Sequence, residues 1–227
     1  MNDAAEYYKN FYEKITNSGA VGVVAKVGHL TLERWPFVKP RFSKNSDLLE
    51  VLEVGAGHGQ HQMYVNHNFK NYTMTDMRPN LLLGKPLQDP RIAVELDSVN
   101  AENLPYDDNS FDRLIATCLL IHLDNPEKAL QEWKRVVRPG GVISIYVPCE
   151  PGLLLRILQS VTTRRKQKKA GLDAKYLHYG EHSYSYPFIL TIIKKTFNKN
   201  YSLRSFPFFF GSFDINLWSI VTVVNKK

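Results

Sequence analysis

Residues 51–59 read Val-Leu-Glu-Val-Gly-Ala-Gly-His-Gly, and this stretch decides the fold of the chain. Its apolar start predicts a buried strand, and Gly55, Gly57 and Gly59 predict a tight turn directly after that strand. Residues 60–67 then have the character of a helix start. Such a turn lets backbone come close to a nucleotide-like ligand, because no Cβ stands in the way.

Two carboxylates make the ligand prediction more specific. Glu53 lies at the end of the predicted strand, where its carboxylate would repel a phosphate group and attract a ligand with a cationic end. Asp76 lies 21 residues after Gly55, the interval at which a nucleotide-binding α/β unit places its ribose-binding acid. Met77 follows it and is predicted to lie against a purine ring.

The next segments repeat the alternation of strands and helices. An Asn-Ala-Glu-Asn-Leu-Pro-Tyr stretch at 100–106 precedes an apolar strand at 114–117, and Arg-Val-Val-Arg-Pro-Gly-Gly at 135–141 ends a helix before a strand at 142–147. We predict two further strands, at 201–206 and 217–224, after a helix at 188–197. Alternation of this kind predicts parallel βαβ units with right-handed crossovers.

The order of these motifs is similar to that of the class I S-adenosylmethionine-dependent methyltransferases, over about residues 48–148. Within that family the small-molecule branch, with its quinone and sugar methyltransferases, is most similar. The resemblance implies a Rossmann-like α/β fold, with a seven-stranded, mostly parallel sheet, an antiparallel C-terminal edge strand, and helices on both faces. It also implies S-adenosyl-L-methionine as cofactor and S-adenosyl-L-homocysteine as product.

The resemblance assigns a set of residues to the cofactor. Glu53 and His58 would line the methionine end, and Asp76 would hold the ribose. The family usually has an Asp-Ala pair at the adenine, where this chain has Asn100 and Ala101; Asp97 is an alternative contact. The full predicted set is Glu53, Gly55, Gly57, His58, Gly59, Asp76, Met77, Asn100, Ala101 and Thr117.

Methyl transfer to oxygen or nitrogen also needs a base, usually His, Asp or Glu. His122, just past the strand at 114–117, is one candidate; packing is its structural alternative. His182 and Glu181, with His178 close by, form a second candidate, either a base with its orienting carboxylate or a clamp for sugar hydroxyls. The alternative for this cluster is an exposed polar loop, and no metal site is predicted.

The N-terminal region carries a further group of polar residues. Helices are predicted at 3–17 and 21–35, and Tyr7, Tyr8 and Tyr12 of the first form either a lid over the cofactor or a helix packed on the sheet. His29 and Glu33 lie one turn apart on the second helix. We interpret His61, after the glycine turn, as a solvated helix residue.

Composition restricts the class of protein. The chain has 227 residues, a net charge of +7 and two cysteines, Cys118 and Cys149. These values predict one domain without a disulfide framework, in a reducing cytoplasm. We see no signal peptide and no apolar run of about 20 residues, the length that spans a bilayer. The positive charge favours acidic partners, but no recognition module predicts binding to nucleic acid.

We divide the single domain into an N-terminal helical lid (1–47), a cofactor-binding core (48–148), a substrate-lid insertion (149–187), and a C-terminal helix with edge strands (188–227). Residues 153–169 join an apolar segment to five positive charges. This pattern fits three roles. The segment could make peripheral contact with an anionic membrane on its inner face, bind a substrate phosphate, or form a lid helix followed by a solvated basic turn.

Three functions follow from these patterns. The first is O-methylation of a sugar hydroxyl in bacterial surface-glycan biosynthesis, which a looser similarity at 148–171 to surface-polysaccharide methyltransferases suggests. Its acceptor would be a small molecule or glycan, phosphorylated or lipid-linked. The second is a quinone or lipid methyltransferase at the membrane surface. The third is a cofactor-binding scaffold without catalysis.

Overall fold

The computed structural model describes residues 23–34, 49–78, 91–94, 98–161, 182–209 and 211–226. The predicted N-terminal helix with its tyrosines, Asp97, His178, Glu181 and the basic run at 164–169 lie outside these ranges. None of the helices within them has the length and apolar character that crossing a bilayer requires.

Seven strands form one sheet. They are β1 (Leu49–Val54), β2 (Phe69–Thr75), β3 (Ile92–Val94), β4 (Phe111–Thr117), β5 (Val137–Pro148), β6 (Tyr201–Phe206) and β7 (Trp218–Val224). Their spatial order is β3-β2-β1-β4-β5-β7-β6. The first five pair in parallel, and β7 runs antiparallel to β5 on one side and β6 on the other. The predicted Rossmann-like sheet is confirmed; its antiparallel C-terminal strand lies one place in from the edge, which β6 forms.

Four helices accompany the sheet within the described ranges: α1 (Val23–Arg34), α2 (Pro126–Val136), α3 (Leu153–Val161) and α4 (Tyr186–Phe197). Helix α2 begins where the Asn125 side chain accepts the backbone N–H of Lys128, a capping bond that satisfies a free helix donor. Its buried residues, which include Ala129, Leu130, Trp133 and Val136, recur at helical spacing, so they form an apolar stripe that packs on the sheet.

Two apolar clusters cover the two faces of the sheet. The larger one joins β1, β4, β5 and β7 to α2 and α4, and the smaller one joins the opposite face to α1 through Leu32. Alternate residues of β1 therefore enter different clusters: Leu52 and Val54 enter the first, and Val51 enters the second.

One predicted element is wrong. The helix expected at 60–67 is only a 3-10 turn, at His61–Tyr64. The whole connection between β1 and β2 is short, and its next residues lead directly into β2. The chain therefore leaves the glycine turn without a full helix, and α1 packs against the 3-10 turn.

Candidate active site at the carboxyl ends of the strands

The glycine turn has the backbone conformation that its sequence demands. Gly55, Gly57 and Gly59 all have positive φ, at 62°, 54° and 62°. Residues with a Cβ rarely adopt that region. A Cβ built on Gly57 would meet no atom within 4 Å, so open space lies beside this residue. The turn therefore presents backbone that a ligand can approach, and His58 lies half-buried within it.

Asp76 is held against that turn. It lies just past β2, almost fully buried, and its Oδ2 accepts the N–H of Gly57 at 2.9 Å. Its Oδ1 accepts the N–H of Arg78 at 2.8 Å. Each carboxylate oxygen has a further lone pair, so the acid can still accept from a hydroxyl. The structure thus brings the predicted ribose residue and the glycine turn together.

The predicted adenine segment borders Asp76. The N–H of Val99 donates to the carbonyl oxygen of Asp76 at 3.2 Å, and the Ser98 hydroxyl donates to that of Met77 at 2.6 Å. Met77 is exposed, so its side chain is accessible to a ligand. The loop therefore lies beside the acid.

Asn100 and Ala101 have different surroundings. Asn100 is exposed, and its Oδ1 already accepts the N–H of Glu102 at 2.8 Å. Ala101 is buried, and its carbonyl oxygen accepts the indole N–H of Trp133 at 3.1 Å. An adenine amino group bound to Asn100 would therefore share Oδ1 of its side chain with the N–H of Glu102.

Glu53 is a buried carboxylate with one free oxygen. Its Oε2 accepts the hydroxyl of Tyr72 at 2.7 Å, while its Oε1 has no hydrogen-bond partner among the described residues. Burial raises the pKa of Glu53, because the charged form is poorly solvated there. A cationic group beside Oε1 would relieve that cost.

Behind Glu53, a buried polar network joins α1 to the sheet. Arg113, on β4, donates to both carboxylate oxygens of Glu33, at 2.6 and 3.1 Å. It also donates to Nε2 of His67 at 2.8 Å. Burial alone would raise the pKa of Glu33, but Arg113 and His61 hold it well below its usual range. Sequence reasoning missed Arg113; an arginine inside an otherwise apolar strand is the signal of a buried partner.

The prediction that His61 is a solvated helix residue is wrong. Its side chain is buried and lies 2.9 Å from Glu33 through Nε2, and 3.0 Å from His29 through Nδ1. His29 and Glu33 lie one helical turn apart on α1, as predicted, and both contact His61. This network ties the glycine-turn segment to α1.

A second cluster, the base cluster, forms above β4 and β5 from His122, His182 and Glu150. The rings of His122 and His182 meet edge to face, with centroids 4.7 Å apart. Nδ1 of His182 is hydrogen-bonded to Oε2 of Glu150. The other oxygen, Oε1, accepts the amide of Gln159 at 3.0 Å. Both predicted histidines are therefore in one cluster, although they are far apart in sequence.

Glu150 is the carboxylate that contacts His182, and the role predicted for Glu181 stays a prediction. Glu150 follows β5, and His182 reaches it because the N–H of Ser183 donates to the carbonyl oxygen of Ile121 at 2.9 Å. Sequence proximity favoured Glu181, which lies outside the described residues. The signal for Glu150 was its position just after a strand, at the carboxyl edge of the sheet where open α/β sheets bind ligands.

The base cluster and the glycine turn lie at the same edge. A Cβ on Gly55 would come within 2.6 Å of Leu119, in the segment that leads to His122. Thr117 ends β4 half-buried, and Cys118 follows with φ of 55°. Burial, and then the charge of Glu150, raise the pKa of Cys118, so this thiol stays protonated.

The residues at this edge fit the implied cofactor. The free Oε1 of Glu53 suits an ammonium group, the open side of Gly57 admits a ligand, and Asp76 retains acceptor capacity for a ribose. Within the described part of the chain, no group of three or more His, Cys, Asp or Glu side chains has the arrangement of a metal site.

Comparisons with known proteins agree with this geometry. Residues 52–145 match the family described as a methyltransferase domain. The chain is 27% identical over 138 residues to an uncharacterized protein of Mycobacterium bovis, covering 60% of this chain and 50% of that protein. It is 32% identical over 110 residues to 2-methyl-6-phytyl-1,4-hydroquinone methyltransferase 1 of Oryza sativa subsp. japonica, covering 45% and 32%. The chain thus spans half or less of the length of these curated relatives.

A solved structure extends the likeness to the whole fold. The crystal structure of an S-adenosylmethionine-dependent methyltransferase of Thermotoga maritima, a possible histamine N-methyltransferase, aligns over 100% of both chains. Its TM-score is 0.61 and its sequence identity 18%. Residues 52–145 are therefore a methyltransferase domain, and the chain around them has the fold of the class I S-adenosylmethionine-dependent methyltransferases.

Proposed function

We propose that this chain transfers a methyl group from S-adenosyl-L-methionine to a hydroxyl oxygen, with His182 as the base. The observation that carries the proposal is the contact of His182 with Glu150 and His122 at the same sheet edge as the glycine turn. A neutral hydroxyl must lose its proton as it attacks, and a positioned base contributes about 10²–10⁴-fold to such a step.

The Glu150 contact defines how His182 would work. Nδ1–H of His182 donates to the carboxylate, so Nε2 keeps its lone pair and accepts the proton of the acceptor hydroxyl. Glu150 then stabilises the imidazolium that results. Gln159 holds the other oxygen of Glu150 and is a positioning residue. His122, edge-on to His182, limits the rotation of its ring.

Cofactor binding would use the other half of the site. Glu53 would meet the methionine ammonium, Asp76 the ribose, and Asn100 with Met77 the adenine. When bound, the cofactor supplies a methyl group on a sulfonium centre, which is already activated for in-line displacement. The remaining contribution of the protein is alignment and proton removal, and alignment alone can supply several kcal/mol.

The acceptor we favour is a sugar hydroxyl of a bacterial surface glycan, nucleotide-linked or lipid-linked. Sugar hydroxyls are weak acids, so they depend on a base such as the His182–Glu150 pair. The alternative is a quinone or lipid acceptor, which the named hydroquinone methyltransferase relative supports. A cofactor-binding scaffold without catalysis is the remaining alternative, and the assembled base cluster counts against it.

Incubation of the protein with methyl-labelled cofactor and a cell extract tests these alternatives. The products are divided between water and organic solvent, and the His182→Ala variant is run beside the wild type. Label in an aqueous glycan or nucleotide-sugar fraction would support the favoured acceptor. Label in the organic phase would indicate a quinone, a lipid or a lipid-linked glycan. Mild acid hydrolysis of the glycan linkage then distinguishes these, because it releases label into water only from a lipid-linked glycan. Absence of label in every fraction, with cofactor still bound, would favour the scaffold.

A further inference from the structure

Helix α3 is apolar on its outer side. Leu153, Ile157 and Val161 recur every four residues, so they share one helix face, and they are 57%, 53% and 50% exposed. The inner side carries buried Leu155 and the amide of Gln159, which donates to Glu150. A surface helix normally has the reverse arrangement, with its polar residues outside.

The connection between β6 and β7 extends this apolar surface. Phe208, Phe209 and Ile215 are 47%, 63% and 45% exposed. The connection contacts the start of α3, because the N–H of Leu153 donates to Asp214 and a Cβ on Gly152 would come within 2.5 Å of the Phe213 carbonyl oxygen. We call the six exposed side chains the apolar rim: Leu153, Ile157, Val161, Phe208, Phe209 and Ile215.

The charges around the apolar rim are mainly positive. Arg156 is exposed on α3, and the guanidinium of Arg204 lies 5.9 Å from the ring centroid of Phe209. Asp214 is the one carboxylate in 153–161 and 207–217, and it accepts from the Leu153 N–H and the Ser212 hydroxyl. The sequence after Val161 continues with five lysines and arginines at 164–169, and the chain as a whole has a charge of +7.

We propose that the apolar rim is a docking surface for an anionic lipid membrane. Contiguous exposed apolar side chains mark interaction sites, and apolar side chains beside lysine and arginine are the combination that binds lipid interfaces. Each basic residue near an anionic surface adds attraction that salt weakens. A protein partner would explain the apolar side chains but gives no role to Arg156 and Arg204, which lie beside them.

The position of the apolar rim gives the contact a consequence for the active site. Gln159 links the inner side of α3 to the carboxylate of Glu150, so one helix carries the lipid contact outside and the base contact inside. A membrane-bound protein would therefore hold its base cluster close to the lipid surface. An acceptor with a lipid anchor would then be within reach without leaving the bilayer.

Vesicle co-sedimentation tests the surface without any methyl transfer. Vesicles of pure phosphatidylcholine are compared with vesicles containing phosphatidylglycerol. The wild type should bind the anionic vesicles more strongly, and 1 M salt should weaken this binding. Leu153→Asp combined with Ile157→Asp should reduce partitioning by roughly tenfold or more, since two half-exposed apolar side chains no longer enter the interface. Arg156→Glu should reduce it by a smaller factor.

The matched control is Met63→Asp, which places a charge at a similarly exposed apolar residue outside the apolar rim, on the 3-10 turn between β1 and β2. It should leave vesicle binding unchanged. Thermal unfolding checks that the double variant is folded, and Ile157→Ser is the milder substitute if it is not. Equal binding to both kinds of vesicle, no binding to either, or unchanged binding by the folded α3 variants would overturn the proposal. Vesicle binding without labelled product would leave the docking surface standing and remove the proposed function instead.

Discussion

This protein has two histidine–glutamate pairs with opposite surroundings, one where α1 meets the sheet and the other at the carboxyl edge of the sheet. In the network behind Glu53, His61 contacts Glu33, and the two side chains are 0% and 1% exposed. In the base cluster, His182 contacts Glu150, and the exposed fractions are 21% and 9%. The contact is of the same chemical kind in both places, so the environment has to decide what each pair does.

The partner of the carboxylate accounts for the difference. Glu33 is bound through both oxygens by Arg113, so its charge is already compensated and its geometry fixed. The second oxygen of Glu150 accepts the neutral amide of Gln159, which does not compensate the carboxylate charge, so that charge can stabilise a protonated His182. An arginine thus makes one pair a structural clamp, and partial exposure leaves the other able to exchange protons with an acceptor.

The largest effect is expected from variants that disrupt the base cluster. His182→Ala should lower the rate of methyl transfer by about 10²–10⁴-fold, because the hydroxyl loses its proton acceptor. Glu150→Gln should lower it as well, since the imidazolium loses its counter-charge. Cofactor affinity, measured by calorimetry with S-adenosyl-L-homocysteine, should stay unchanged in both variants. Full activity of His182→Ala would remove the catalytic assignment but leave the methyltransferase domain in place.

The second largest effect is expected from a variant that disrupts the clamp, which is the contact of Glu33 with Arg113 and His61. Glu33→Gln leaves Arg113 buried without a counter-charge, and loss of one partner of a buried pair costs about 3–5 kcal/mol. Urea unfolding measures this loss. The matched control is Glu127→Gln, whose partner Lys195 lies at the surface. That variant should lose no more than about 1 kcal/mol. Equal losses in the two variants would contradict the distinction between the clamp and a surface ion pair.

Acid should destabilise the network around Glu33 before it protonates Glu33 itself, because Arg113 and His61 hold the pKa of that carboxyl low. Burial, together with the charge of His61, lowers the pKa of His29 to about 4, and burial with Arg113 lowers that of His67 to about 4. The unfolded chain binds these protons near pH 6.5, so stability should fall as the pH drops from 6.5 towards 4. The slope should approach about 1.4 kcal/mol per pH unit for each histidine. His67→Gln should reduce the slope, as urea unfolding at several pH values would detect.

The same comparison explains what the sequence could and could not predict. The strand before the glycine turn, the strand at 201–206, and the edge shared by Asp76 and the glycine turn follow from local patterns and from the carboxyl-end rule for parallel sheets. Glu150 and Arg113 do not, because their partners are 32 and 80 residues away. His61 was misjudged because a helix was expected after the glycine turn. A buried 3-10 turn has no sequence period that distinguishes it from a solvated helix start.

The smallest expected effect tests whether the hydrogen bond between Tyr72 and Glu53 contributes to cofactor binding. Tyr72 donates its hydroxyl to Glu53 Oε2, so it fixes which oxygen is left free for a cationic ligand. Tyr72→Phe should weaken cofactor binding several-fold and cost about 1 kcal/mol of stability, the usual worth of one hydrogen bond. The matched control is Tyr184→Phe, which loses a hydroxyl bound to the Asp124 carbonyl oxygen. It should lose similar or less stability with no change in affinity for S-adenosyl-L-homocysteine. A loss of stability without a loss of affinity in Tyr72→Phe would mean that Glu53 is part of the structural network alone.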